Sequence, residues 1–189
     1  MKRLVLISTL LATLAGCAGH QPSHLALSPM VPSINQQATA TKDVAIQTFD
    51  ARKANYIVKF ANGDDAARLI SPSEPTRAIV DNLFKQAFVK AGYQLNSDSN
   101  DRMQLHITQL LTTVNESMFS FDAYSVISIQ VTATNDRHTF TKQYSIKGNL
   151  KGPFSADFAQ LELELNKLIS KLTGEIVNDA ELNQFLAQK

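Results

Sequence analysis

Four histidines, one cysteine and 17 acidic residues are the groups in this 189-residue chain that could carry catalysis or hold a metal. Nucleophilic chemistry would need a serine in a Gly-x-Ser-x-Gly turn or a thiol near a histidine. The serine motif is absent, and the one thiol, Cys17, closes an N-terminal apolar run. His20 and His24 have the four-residue spacing of a helical metal pair, but Pro22 between them denies the fixed face such a site needs. His106 lies between Leu105 and Ile107 on the polar parity of a strand pattern, and His138 flanks a turn, so both read as solvated. Asn96–Asp101 has the start of a calcium loop, but Asp101 stands where that loop needs Gly and Ile107 where it needs Glu; it reads as a strand-entry loop. Glu162 and Glu164, two apart on a helical pattern, point in different directions and cannot share a proton-transfer site. Asp64-Asp65 reads as a turn, and the seven glycines are too scattered to cradle a phosphate. The expectation is a non-enzyme with no cofactor and no metal.

What remains is Cys17, and its setting is specific. Met1-Lys2-Arg3 gives a positive start, and Leu4 to Leu14 is an apolar run broken only by Ser8, Thr9 and Thr13. About 11 residues is too short for a hydrocarbon core that needs about 20, so the run reads as the h-region of a signal peptide. Leu14, Ala15, Gly16 and Cys17 then resemble the bacterial lipobox. That resemblance implies cleavage before Cys17, a diacylglyceryl group on its thiol and an acylated amine, such as a palmitate. Two or three acyl chains, at about 0.8 kcal/mol per buried methylene, anchor a protein stably. Ala18 follows, with no Asp as an inner-membrane retention signal, so the implied address is the periplasmic face of the outer membrane.

Composition narrows the rest. With 44% hydrophobic residues, 7 Gly and 6 Pro, the chain is neither disordered nor collagenous, and one Cys allows no disulfide framework. The formal charge is +1; removal of residues 1–16 takes Lys2 and Arg3 and leaves 173 residues with a net charge of −1. Such a balance gives no attraction to nucleic acid, and the hold on a membrane must come from acyl chains rather than a polybasic patch.

Position along the chain then suggests three parts: a signal peptide over 1–16, a lipidated Cys and flexible tether over 17–42, and one periplasmic domain over 43–189. The tether expectation rests on Pro22, Pro29, Pro32 and a run of Ser, Asn, Gln and Thr without periodicity. Val44–Phe49 and Asn55–Phe60 are two β-rich runs that suggest a hairpin around Asp50–Lys53. Asn62-Gly63 signals a turn, and Ser71 with Glu74 has the spacing of a capping box opening a helix. That helix carries Ile79, Val80, Leu83, Phe84, Ala87, Phe88 and Ala91 on one face and ends at Gly92. Three segments around Leu105, Ile127 and Tyr144 alternate with period 2, as half-buried antiparallel strands do. Phe158, Leu161, Leu165, Leu168 and Leu172 mark a second main helix, and Glu181–Ala187 a short last one. The resulting expectation is a two-layer α+β sandwich in β-β-α-β-β-β-α order, an antiparallel sheet with two main helices on one face.

One cluster is not absorbed by this pattern. Met118, Phe119, Phe121 and Tyr124 concentrate apolar surface at a strand start, and alternation does not let all four face a one-sided core. Either the remainder folds inward as a loop, or it is exposed and docks a protein partner or the lipid surface.

Taken with the lipobox, the Ser71-Pro72-Ser73 and Ala91-Gly92-Tyr93 segments, the Leu105–Leu110 strand and Gly152-Pro153-Phe154, the whole chain resembles the YajG-type family of uncharacterised bacterial lipoproteins. The resemblance implies location and fold and brings no catalytic residues. The functional expectation is an accessory or protein-interaction module of the envelope with an unidentified periplasmic partner. The alternative is a carrier or sensor holding a small apolar ligand between sheet and helices.

Overall fold

A computed structural model describes residues 23–35, 42–63 and 65–188. The elements follow in the order β1 (His24–Leu25), β2 (Asp43–Asp50), β3 (Val58–Asn62), β4 (Asp65–Pro72), α1 (Thr76–Lys90), β5 (Gln94–Leu95), β6 (Arg102–Glu116), β7 (Ser120–Thr134), β8 (Thr139–Pro153), α2 (Phe158–Val177) and α3 (Ala180–Ala187). The class is α+β, with one curled open sheet and three helices among the described residues.

The three long strands form the expected meander, β6 antiparallel to β7 and β7 to β8, paired over nearly their whole length. Period-2 burial drives it: Met103, Leu105 and Ile107 face the core in β6 with Phe121, Ala123, Ile127, Ile129, Val131 and Ala133 in β7. A bulge at Thr108 shifts the parity of β6, so beyond it Leu110, Thr112 and Val114 point inward. α2 lies over β8 and β7 and buries Leu161, Leu165, Leu168 and Leu172. Each such side chain contributes about 1.5–3 kcal/mol by leaving water.

Three expectations change. The sheet is mixed rather than antiparallel, because β2 and β3 do not form a hairpin. Both lie parallel to β6 on the same edge, β2 beside residues 102–107 and β3 beside residues 112–115. The true hairpin is β3–β4, across the turn holding Gly63 at φ +52°, where a residue without Cβ fits the left-handed region. The Ser71–Glu74 capping box does not form: Ser71 and Pro72 end β4, and α1 starts at Thr76 with no side-chain cap.

Arg52 ties that helix start down instead. Its guanidinium, almost fully buried, donates to Asp50 Oδ1 at 2.8 Å and Oδ2 at 2.7 Å, to Thr76 Oγ1 at 3.0 Å and to the carbonyls of Tyr56 and Leu110. Burial would raise the Asp50 pKa, but the Arg52 hydrogen bonds and charge outweigh it and hold the carboxyl below its ordinary value.

The third change concerns the tether. Residues 23–35 are a strap packed on the body. β1 adds to β4 in parallel, and Leu25 and Leu27 are buried. The Ala26 N–H donates to Glu162, Ser28 N–H to Asn166 and Asn35 N–H to Asn178, so the strap follows α2 along its length. Two apolar anchors and a ladder of backbone donors met by α2 side chains give it a fixed path. The Cys17 and lipobox residues and His20 lie outside the described residues.

Candidate functional site

The β6–β7 turn carries the first of two candidate regions. Ser117 and Ser120 close it: Ser117 N–H donates to the Ser120 carbonyl at 2.8 Å, and Ser120 N–H to Ser117 Oγ at 3.1 Å. Polar groups beside the apex are therefore satisfied internally. At the apex Met118 is 81% and Phe119 74% exposed. Phe121, two residues on, is 4% exposed, and its ring fills the space above Gly152, where an added Cβ would meet Cε1 at 2.5 Å. The two phenylalanines share a parity, but β7 begins at Ser120, so Phe119 belongs to the turn rather than to the strand, and the loop does not fold inward. Tyr124 lies on the opposite, open face of the sheet and is partly exposed. Of the four clustered residues, then, Met118 and Phe119 share the tip, Tyr124 flanks it and Phe121 belongs to the core.

Phe154, which the sequence pattern does not single out, completes the tip. It is 67% exposed, and its N–H donates to the Phe119 carbonyl at 2.9 Å. Its φ is +61°, a left-handed conformation that costs a residue with a Cβ about 1–2 kcal/mol. An aromatic is held outward there at a position where Gly or Asn would be cheaper. The available sequence signal is Gly152-Pro153-Phe154, a strand end without the usual polar turn residues.

A second region lies at the other end of the sheet, a cleft of about 700 Å³ along Val44–Thr48 of β2. Arg77, Asp81 and Lys85, each one turn apart on α1, line one wall, and Arg102 opens β6 across from them. Asp81 pairs with Lys85 at 2.7 Å, so the wall keeps an excess of positive charge. Its floor is apolar, with Val44, Ile46 and Met103. Thr48 lines the same space, and its buried Oγ1 has no hydrogen-bond partner.

The edge of β2 beside this cleft is also open. Ala45 N–H donates to the Asp101 carbonyl and Ala51 N–H to that of Ile107, so odd residues of β2 bond β6. Parallel ladders alternate, which turns the backbone groups of Ile46 and Thr48 to the other side. Beyond Val44 no strand pairs with that edge among the described residues.

Other sequence candidates are dispersed. His106 stacks on Phe49 with ring centroids 4.9 Å apart, on the open face, and is half-buried rather than freely solvated. His24 is exposed beside Ser23 Oγ, and Glu162 is occupied by the strap while Glu164 lies near Lys167. Among the described residues no group of three or more His, Cys, Asp or Glu could hold a metal ion, and no helix is long and apolar enough to cross a membrane.

The profile of an uncharacterized lipoprotein family matches residues 29–187. The chain belongs to that family, the YajG family that its motifs resemble. Membership puts it with membrane-anchored envelope proteins and names no activity. No curated protein matches the sequence. Among solved structures, a Xanthomonas campestris protein of the DUF330 family aligns at TM-score 0.59 with 11% identity, over 87% of this chain and 97% of that one. A Helicobacter pylori homologue of a neuraminyllactose-binding hemagglutinin aligns at TM-score 0.50 with 8% identity, over 85% and 97%. At such identities the likeness is one of fold alone.

Proposed function

We propose that the chain is a non-enzymatic lipoprotein, held by acyl chains on Cys17 to the periplasmic face of the outer membrane, whose two-layer body docks a periplasmic protein. The observation carrying this reading is the open β2 edge inside the charged cleft. Unpaired backbone groups at Ile46 and Thr48 offer a template for one added strand. Arg77, Lys85 and Arg102 beside them favour a partner segment with acidic side chains.

A photo-crosslinker at Gln47, an exposed residue at this edge, tests the reading in intact cells. The expected result is a discrete adduct with an envelope protein, lost in Ile46→Pro. That substitution removes an outward N–H while leaving the bonds to β6. Recovery of the uncrosslinked chain alone, under conditions that capture a known lipoprotein complex, would sink it.

A small ligand is the second reading, favoured by the partnerless Thr48 hydroxyl. With cationic groups at its mouth the cleft suits an acid-headed amphiphile better than the purely apolar molecule first expected. Native mass spectrometry of chain extracted in mild detergent separates the two: a ligand adds a fixed small mass that Thr48→Val abolishes.

A further inference from the structure

Strand polarity fixes which end of the body the anchor approaches. β6 runs toward the tip, β3 is parallel to it, β4 runs back and β1 follows β4. The chain therefore enters β1 at His24 from the tip side. His24 pairs with Ser71, which stands one residue from the Ile70–Val58–Thr112 row, five residues of β6 short of Glu116. That rise is about 17 Å. Cys17 precedes His24 by seven residues, a reach of at most about 25 Å. With residues 23–35 strapped to α2, the anchor has only enough chain to pass the tip by a few ångströms.

We propose that Met118, Phe119 and Phe154 seat in the interface of the bilayer that holds Cys17, so that the body stands tip-down with its cleft away from the membrane. The inference rests on the lipid-anchored reading above and adds the surface that meets the lipid. The three exposed side chains gather at one tip, where the Phe154 N–H meets the Phe119 carbonyl, and the Ser117 and Ser120 hydroxyl and N–H groups beneath it are paired with one another. Such a surface enters the headgroup region at small cost, because the serine groups are already paired and the polar headgroup layer can solvate the rest of the turn backbone. A tether of fewer than ten residues also confines the tip close to the lipid, so weak insertion suffices.

The chain has no Trp, so one can be placed at will. The acylated full-length mature protein, as F119W or as H138W at the opposite turn, is reconstituted into phosphatidylethanolamine/phosphatidylglycerol vesicles with brominated acyl chains. The expected result is that both variants float with the vesicles and only F119W is quenched, by at least about half. Flotation with F119W unquenched, or with both quenched alike, overturns the tip-down arrangement and leaves anchoring intact. Failure to float overturns the anchor reading and the arrangement with it. In cells, a photo-crosslinker at Met118 that captures a protein rather than phospholipid would overturn the lipid assignment in favour of a protein partner.

Discussion

The two turns of the meander solve the same problem with opposite chemistry. At one end Asn135 closes the β7–β8 turn by accepting from the N–H groups of Arg137 and His138, and every residue from 135 to 138 is polar. At the other end Met118 and Phe119 cap the β6–β7 turn, and strained Phe154 leans in beside them. The polar turn demonstrates that the hairpin geometry asks for no apolar apex. Serine hydrogen bonds close the β6–β7 turn without the exposed side chains at the tip, and the strain at Phe154 is what the membrane-facing role proposed above would account for.

This contrast can be broken at graded strengths. Phe121→Ala empties a core site against Gly152 and is expected to destabilise the fold by about 3 kcal/mol in chemical denaturation. Phe119→Ser, two residues away, should change it by less than about 0.5 kcal/mol; a loss of several kcal/mol would show that the tip is core. Arg52→Ala removes the tie at the start of α1 and strands Asp50 partly buried, a loss of about 2–3 kcal/mol after allowing for that partial exposure. Gly152→Ala drives a methyl against the Phe121 ring, which must shift, at about 1–2 kcal/mol. Phe154→Gly should go the other way, releasing strain and raising stability by about 1 kcal/mol, or about 2–4 °C in Tm, while weakening vesicle insertion.

The smallest effect is with pH. Asp50 and Asp179 both titrate below the ordinary 3.8 when folded: burial raises each, but Arg52, and for Asp179 Lys142 and the Leu182 N–H, outweigh it. A carboxyl with a lowered folded pKa stabilises fully above its unfolded value and loses that contribution as pH falls through the folded one. Melting between pH 5 and 2 should therefore show its drop below about 3.8, diminished in Asp179→Asn, which keeps a helix cap but no charge.

How legible this was depended on the range of the interactions. β6, β7 and β8 announce themselves because each is half-buried, and α2 because its leucines keep helical spacing. Parallel pairing carries no local signal: nothing in Val44–Phe49 or Val58–Phe60 tells that each lies beside a different half of β6, so proximity suggested a hairpin. β4 reads Asp-Ala-Ala-Arg-Leu-Ile-Ser-Pro, with a proline and no clean alternation, and was hidden behind the apparent helix entry. The strap escaped because its buried apolar anchors, Leu25 and Leu27, are few and the acceptors of its Ala26 and Ser28 N–H groups, Glu162 and Asn166, lie over 130 residues away. At the tip, alternation does not divide Phe119 from Phe121, which share a parity; Phe119 is outside because it precedes β7, and Phe154 joins it only through the β7–β8 pairing. The cleft was equally out of sight, since Arg77 and Lys85 look like an ordinary wet helix face until β2 is laid beneath them.

Neutron reflectometry of the acylated chain on a supported bilayer tests the tip-down arrangement most directly. Fifteen residues of β6 span about 50 Å, so an upright body gives a protein layer of about that thickness in contact with the headgroups. A layer half as thick, or one separated from the headgroups by water, would contradict it.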